Sequence, residues 1–352
     1  MTRSSPVAIA FRYADPRFVS ALNAQNNLRT TVPRNTRQPR TRNLPHKQRG
    51  VALLMALLVV AIATLIAVRI FSISTTSIAR TESQARLDDA MHLSKGMEDW
   101  AIVLLWRDAE SGDGIDTRND TWAATLPPLP VPGGLVAGKL EDLDGRFNLN
   151  SLVRNGARDP VAMARFARLL AALKIDPALA DVAADWIDSD AQVQGQGAED
   201  LEYLRADPPY RAANRAFVHI SEMRKLKGVD DKIYARLAPE IAALPIGTGF
   251  NVNTASVAGF MSLADGISEE LAKRLWAQGR AQYRNITDVV DAITQAGVVL
   301  DPASMQDLKV SSNFFIARAD VKLGDREFRF YSLIERTPAG GRVRQRSQGA
   351  FF

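Results

Sequence analysis

Eighteen consecutive apolar residues, Val51–Val68, constrain this chain more than any other stretch. The run, VALLMALLVVAIATLIAV, carries no charge and a single polar side chain, Thr64. As a helix it is about 27 Å long, close to the thickness of a bilayer's hydrocarbon core. The segment Lys47-Gln48-Arg49-Gly50 precedes it and Arg69 follows. A basic flank in front of an apolar span keeps the N-terminus cytoplasmic and exports what comes after. Three fates fit: a retained anchor, a signal peptide cut behind the span, or a helix released by a cut in front of it, after Gly50. Arg69-Ile70-Phe71 offers no small-x-small site, which weakens the second.

The formal charge of +5 belongs to the leader. Residues 1–50 hold ten Lys/Arg and one acid, Asp15, whereas the remainder holds 34 basic and 38 acidic residues. A mildly acidic body gives no electrostatic reason to expect nucleic acid as a partner. The chain has no cysteine, so disulfides, thiolate metal sites and thiol catalysis are excluded, and a periplasmic body would need no oxidative folding. The leader, rich in Arg, Asn, Thr and Pro without apolar periodicity, reads as disordered.

Helical character continues past the span. Leu87, Met91, Met97, Ala101 and Leu105 form a seam, with Ser94 between Met91 and Met97, and no proline occurs between Val51 and Leu126. One helix from Val51 to about Leu105 is expected, with Gly96 as its weak point; two helices broken near Ser72–Ser77 is the alternative. Asp108–Asp120 reads as a loop and Leu126–Gly134, LPPLPVPGG, as a linker. Leu135–Asp142 and Arg146–Asn150, joined by Asp144-Gly145, read as a β-hairpin. From Asn155 onward come short capped helices, with Asp159-Pro160, Asp176-Pro177 and Asp301-Pro302 as start signals. Gly228–Leu237 and Gly266–Leu275, 38 residues apart, share a glycine turn, a β-branched residue, a cap and an apolar helix, as in helix-hairpin-helix units. Asn313–Val321 and Arg326–Arg336 around Gly324-Asp325 form the clearest hairpin, and Gly340–Phe352 reads as a frayed tail. The chain divides as leader 1–50, helix 51–109, first α/β part 110–154, all-α insert 155–310, C-terminal hairpin 311–336 and tail 337–352: one sheet on a long helix, with the insert between its strands.

Nothing in the sequence supports catalysis. The three histidines, His46, His92 and His219, are scattered, and no nucleophile elbow, zinc-protease, phosphate-loop or dinucleotide motif occurs. Nucleic-acid binding by the helix-hairpin-helix turns would need a second glycine where Asp230 and Ser268 stand, and Asp231, Asp265, Glu269 and Glu270 oppose phosphate. The ligand candidates are Asp188, Asp190, Glu199 and Asp200. Alternate acids in a loop followed by acids at a helix start can surround Ca²⁺ with hard oxygens. They also fit plain solvated caps, because helix N-termini favour acids, and the loop lacks EF-hand spacing.

A basic leader ending at Gly50 before the apolar helix resembles the type IV pilin-like (class III) signal. That resemblance implies cleavage after Gly50 by a prepilin peptidase and N-methylation of the new terminus, Val51, where most relatives have Phe. It also implies Glu at the fifth mature position, and Met55 stands there instead. The family lacking that glutamate is the type II secretion minor pseudopilin K (general secretion pathway protein K). The sequence resembles it at Asp142–Asn150 (DLDGRFNLN), Asp185–Asp190 (DWIDSD), Gly197–Leu204 (GAEDLEYL) and Asn251–Ala255 (NVNTA), from about Lys47 to about Arg336. The implied fold is α+β: a pilin-like long N-terminal helix packed on an antiparallel sheet, with a large all-α helix-hairpin-helix (SAM-like) domain inserted between strands. The implied role is to initiate and cap the pseudopilus from the inner membrane. Its implied partners are minor pseudopilins I and J, other pseudopilins and exported substrates; its implied cofactor is calcium in the periplasmic part, with no organic cofactor. A membrane-anchored DNA receptor and a type IV minor pilin are the competing readings.

Overall fold

The structure, a computed structural model, describes residues 47–338 and 340–349. The expected disorder of 1–46 lies outside the described residues, as do the last three residues of the expected tail. The chain divides into two compact units, 1–73 and 74–352. Helix α1 is assigned over Lys47–Ser111, 65 residues, and Ser72–Ser77 is helical, so the alternative break is absent there.

In the first unit every residue described from Gly50 to Ile73 is exposed. The apolar stretch reaches a mean hydropathy of 3.1 over 18 residues, long and apolar enough to cross a membrane. Its one polar side chain is quenched locally: Thr64 Oγ1 donates to the Val60 carbonyl at 2.7 Å.

The second unit is built on an antiparallel sheet. Strands β1 (Leu126–Val131) and β2 (Gly134–Asp142) precede the insert; β9 (Phe314–Leu323), β10 (Arg326–Thr337) and β11 (Gly340–Gln348) follow it, in spatial order β1-β2-β9-β10-β11. One sheet face packs on α1: Val136, Val321 and Phe330 meet Ala90 and Met97, while Leu140, Phe315 and Ile334 meet Ala101 and Leu105. The buried helix positions are Ala90, Ser94, Met97, Glu98, Ala101 and Leu105; Met91 is 38% exposed and lies off the seam. Small residues at 90, 94 and 101 let the helix approach the sheet. Gly138 matters for the same reason, because a Cβ there would meet Met97 Cε and the Arg318 carbonyl.

Two expectations about the sheet are corrected. The proline-rich stretch is not a linker but the edge strand β1. It pairs on one side only, with its register break at Pro127-Pro128, so the missing N–H groups cost little. The C-terminal stretch is not frayed at 340–348 but is strand β11, paired along β10. Its Arg346 donates to the buried Glu98 of α1 at 2.8 and 2.7 Å, beside Ser332 Oγ at 2.5 Å. Arg346→Ala is expected to lower stability by about 1 kcal/mol, less than a fully buried charge pair because the arginine side chain is 59% exposed. An unchanged denaturant midpoint would show that β11 adds nothing to this core.

The expected 135–150 hairpin does not form. β3 (Phe147–Asn148) leaves the sheet and pairs in parallel with β6 (Ile241–Ala242). Between them lie a small hairpin of β4 (Val153–Arg154) and β5 (Ala157–Arg158), then helices α2 (Pro160–Ala172), α3 (Leu179–Ile187), α4 (Asp200–Tyr203) and α5 (Asp231–Leu237). A second, shorter copy follows. β7 (Phe250–Asn251) pairs in parallel with β8 (Leu308–Lys309) around α6 (Val257–Met261), α7 (Glu269–Trp276), α8 (Ile286–Gln295) and α9 (Pro302–Met305). Each copy has its own core, one from Phe147 to Ile241 and one from Phe250 to Leu308, so the insert begins at Phe147 rather than 155. A small third cluster, with Leu143, Ala242 and Leu244 against Phe314, Ile316, Tyr331 and Leu333, seats the first copy on the other face of the sheet.

The copies are signed by Phe147-Asn148-Leu149-Asn150 and Phe250-Asn251-Val252-Asn253, 103 residues apart. In each, the first asparagine's Oδ1 accepts the second's backbone N–H, at 3.1 and 2.9 Å. The second asparagine accepts from and donates to one distant backbone residue, Phe217 or Tyr283. Two residues further on stands a capping box, His219/Glu222 or Asn285/Asp288. The 38-residue alignment therefore pairs non-equivalent turns, one late in the first copy and one early in the second. Glycine, a β-branched residue and a cap will begin any such helix.

Candidate functional site

Helix α3 ends by placing Asp185 and Asp188 three residues apart on one face, with Trp186 turned into an aromatic cluster with Tyr203 and Tyr210. The chain loops out at Ser189–Ala198 and returns at Glu199, the N-cap of α4. Asp185, Asp188 and Glu199 are 0%, 3% and 3% exposed, and one oxygen from each lies within 4.8 Å of the others. Among the described residues, neither carboxylate oxygen of Asp188 and neither of Glu199 has a hydrogen-bond partner, and all four are buried. Burial first, then the neighbouring acids, pushes Asp188 up to about 6 and Glu199 up to about 7. Buried carboxylates are ordinarily paired or hold a metal. Oxygen-only donors of this density suit a hard divalent cation such as Ca²⁺.

Asp185 is the exception, since Arg158 pairs with it and also holds Asp181 at 2.9 Å. The two aspartates in turn accept the loop's N–H groups, Gln194 to Asp185 at 3.4 Å and Gln196 to Asp181 at 2.9 Å. The loop comes this close because a Cβ at Gly197 would fall inside the radius of Asp185 Oδ2. Gly197→Ala is accordingly expected to lower stability by about 1–3 kcal/mol and to weaken any divalent-cation response of the thermal midpoint. A variant that melts and responds like the parent would overturn this account of the loop.

Of the four acids singled out from the sequence, the structure brings together Asp188 and Glu199. Asp190 is exposed and accepts from Gln192 N–H at 2.8 Å. Asp200 turns away to Ala212 N–H at 3.0 Å and Arg211 at 3.5 Å. Asp185 was missed as a ligand; its sequence signals are its spacing from Asp188 on one helical face and its place in the Asp185–Asp190 motif.

The family model for type II secretion system protein K matches residues 145–246. Over 317 residues the chain is 36% identical to type II secretion system protein K of Pseudomonas aeruginosa, covering 86% of this chain and 93% of that one. This chain belongs to the type II secretion system protein K family. The Klebsiella pneumoniae member is 32% identical over 326 residues, covering 87% of this chain and 98% of that one. Among solved structures, a chain of the GspK-GspI-GspJ complex from the enterotoxigenic Escherichia coli type 2 secretion system superposes with a TM-score of 0.67. It shares 27% identity and covers 77% of this chain and 99% of that chain. The matched region 145–246 brackets the first copy of the insert, β3 to β6, and contains Asp185, Asp188 and Glu199. With the apolar span in α1, family membership makes this a single-pass inner-membrane protein with a periplasmic globular part.

A second acidic trio, Asp108, Asp116 and Asp120, differs in kind. Arg336 reaches Asp108 at 3.1 Å and Asp116 at 2.8 Å, Ser312 N–H donates to Asp116, and Thr117 and Trp122 donate to Asp120. It staples the end of α1 to β10. The helix-hairpin-helix turns are likewise spoken for. Asp230 and Ser268, where a phosphate-binding turn would have glycine, accept the N–H groups of Ile233 and Leu271 at 2.7 and 3.2 Å. Gly50, Val51 and Met55 lie in α1, with Val51 56% and Met55 62% exposed, and bring no charge to the apolar stretch.

Proposed function

We propose that this protein is the minor pseudopilin at the tip of the type II secretion pseudopilus, where it initiates and caps assembly alongside minor pseudopilins I and J. The observation that carries this reading is the match to protein K relatives over 86% of this chain, with the same fold in a chain of a K–I–J complex. Its role there is structural, without catalysis. Membrane burial favours an uncharged fifth mature residue in a subunit with no neighbour ahead of it, and Met55 fits that place. Prepilin peptidase cleavage after Gly50 would leave N-methylated Val51 in the bilayer. Asp185, Asp188 and Glu199 would hold a calcium ion that joins the end of α3 to the start of α4, supplying the positive charge those oxygens lack.

The deciding experiment co-expresses the full chain with the I and J proteins of the same genome and a prepilin peptidase. A co-eluting complex whose K subunit begins at methylated Val51 is expected by mass spectrometry. An intact leader, an N-terminus behind Val68, or failure to co-elute with both partners would sink the reading.

A further inference from the structure

Gly96 has no use inside this fold. It lies in the interior of α1, within the stretch that packs on the sheet, yet it is exposed. A Cβ there would meet nothing within 4 Å, whereas one at Gly138, on the strand that faces this helix, would meet Met97 Cε. Its backbone is helical, so no left-handed conformation calls for glycine. Glycine is the poorest helix former after proline, and alanine would serve the isolated chain better without crowding anything. The remaining use for a missing side chain is close approach by a neighbouring backbone.

The surface around it has the form of a helix contact. Asp89, His92, Gly96, Asp99, Val103 and Trp106 recur every three or four residues along one face of α1, turned away from the sheet, and all six are exposed. Val103 and Trp106 are large apolar side chains, 43% and 44% exposed. Such spacing is the line along which a second helix packs, and the side chains at the crossing point set how near the two axes come. Asp89 and Asp99, on either side of Gly96, make no ion pair and no side-chain hydrogen bond among the described residues. The facing helix therefore suits a Lys or Arg. We infer that a helix of a minor pseudopilin partner crosses α1 at Gly96, its backbone against the glycine and a basic side chain against Asp89 or Asp99. This rests on the tip role proposed above, and it adds the crossing point: Gly96 gives up stability of the free chain for that contact.

The test uses the full chain in detergent, alone and with the I and J proteins of the same genome. In the isolated chain, Gly96→Ala should raise the thermal midpoint by about 2–4 °C. The same variant should bind its partners about tenfold more weakly or worse, because the added methyl meets a backbone. A glycine that served only this chain would not move the two readouts in opposite directions. Asp99→Lys should weaken association more at low salt than at high. Met91→Ala, on an exposed part of α1 off this face, should leave association unchanged. Undiminished affinity in Gly96→Ala, a lowered midpoint of the free variant, or an equal loss in Met91→Ala would overturn the inference, and the tip role would stand as long as the parent co-elutes with both partners. A parent that binds neither would sink the tip role and the crossing point together. Self-association of the parent that Gly96→Ala abolishes, with partner binding intact, would assign the face to a second copy of this chain and overturn the inference as well.

Discussion

Chelating divalent cations from the full chain is expected to lower its thermal midpoint by roughly 5–10 °C, and adding back calcium should restore it. The magnitude follows from ligand linkage. Calcium at about a hundred times its dissociation constant adds about 2.7 kcal/mol, and a domain of this size shifts by about 2–4 °C per kcal/mol. The cause is the cluster at the end of α3, where four oxygens of Asp188 and Glu199 are buried without a donor among the described residues. Glu199→Gln separates this from generic salt effects. Without calcium the variant should melt above the parent, because one buried, uncompensated charge is gone; with calcium it should barely respond. The pH dependence has a definite sign. Asp188 and Glu199 are raised to about 6 and about 7, above ordinary carboxylate values near 4. The folded, cation-free state therefore keeps protons that the unfolded chain has released, and its stability falls as pH rises from about 4 to about 7. Calcium competes with those protons, so its effect should grow over the same window. A midpoint indifferent to chelator at pH 7.5 would remove the cation from this site.

What could be read from the sequence follows from which physical signals are local. The apolar span and the capped helices were legible because length, charge and an N-cap carboxylate act within a few residues; Asp159 does accept Val161 and Ala162 N–H at 3.0 Å. Strand β1 was not legible. Its prolines argue against a sheet, and only an edge position, which is a tertiary fact, makes them harmless. Strand β11 was hidden for a related reason: it is held to the helix through Arg346, a largely exposed side chain whose partner Glu98 is far away in sequence. At the candidate cation site, spacing found Asp188 and Glu199 but not direction. It credited Asp190 and Asp200, each of which has an oxygen that accepts another backbone N–H, and passed over Asp185, which helical geometry places beside Asp188. The largest miss was the pair of F-N-x-N strands. Alternation of apolar and polar residues suggests a half-exposed hairpin, yet Asn148, Asn150, Asn251 and Asn253 are 7%, 4%, 0% and 1% exposed. Buried asparagines imitate a solvated strand face when only the pattern is read.

Those asparagines give the other large effect. Asn150→Asp is expected to destabilise the first copy of the insert by more than about 4 kcal/mol, and Asn253→Asp the second by a similar amount. Asn150 Nδ2 donates to the carbonyls of Phe217 and Leu244 at 3.0 and 2.9 Å, while its Oδ1 accepts Phe217 N–H at 2.7 Å. Asn253 repeats this with the Tyr283 and Val310 carbonyls, at 3.0 and 3.4 Å, and with Tyr283 N–H at 2.7 Å. The aspartate keeps the acceptor but points a second oxygen at two carbonyls, without solvent to relieve the charge. A protonated carboxyl regains one donor, so both variants should recover stability as pH falls, opposite to ordinary acid denaturation. The two should also differ. Because the cation cluster belongs to the first copy and the cores are separate, Asn150→Asp should abolish the calcium response. Asn253→Asp should lower the midpoint yet keep that response, with limited proteolysis cutting first between 250 and 310. Loss of the response in both variants would mean that the copies fold as one cooperative block. Retention in both would mean that the first-copy asparagine does not hold the frame in which α3 and α4 meet.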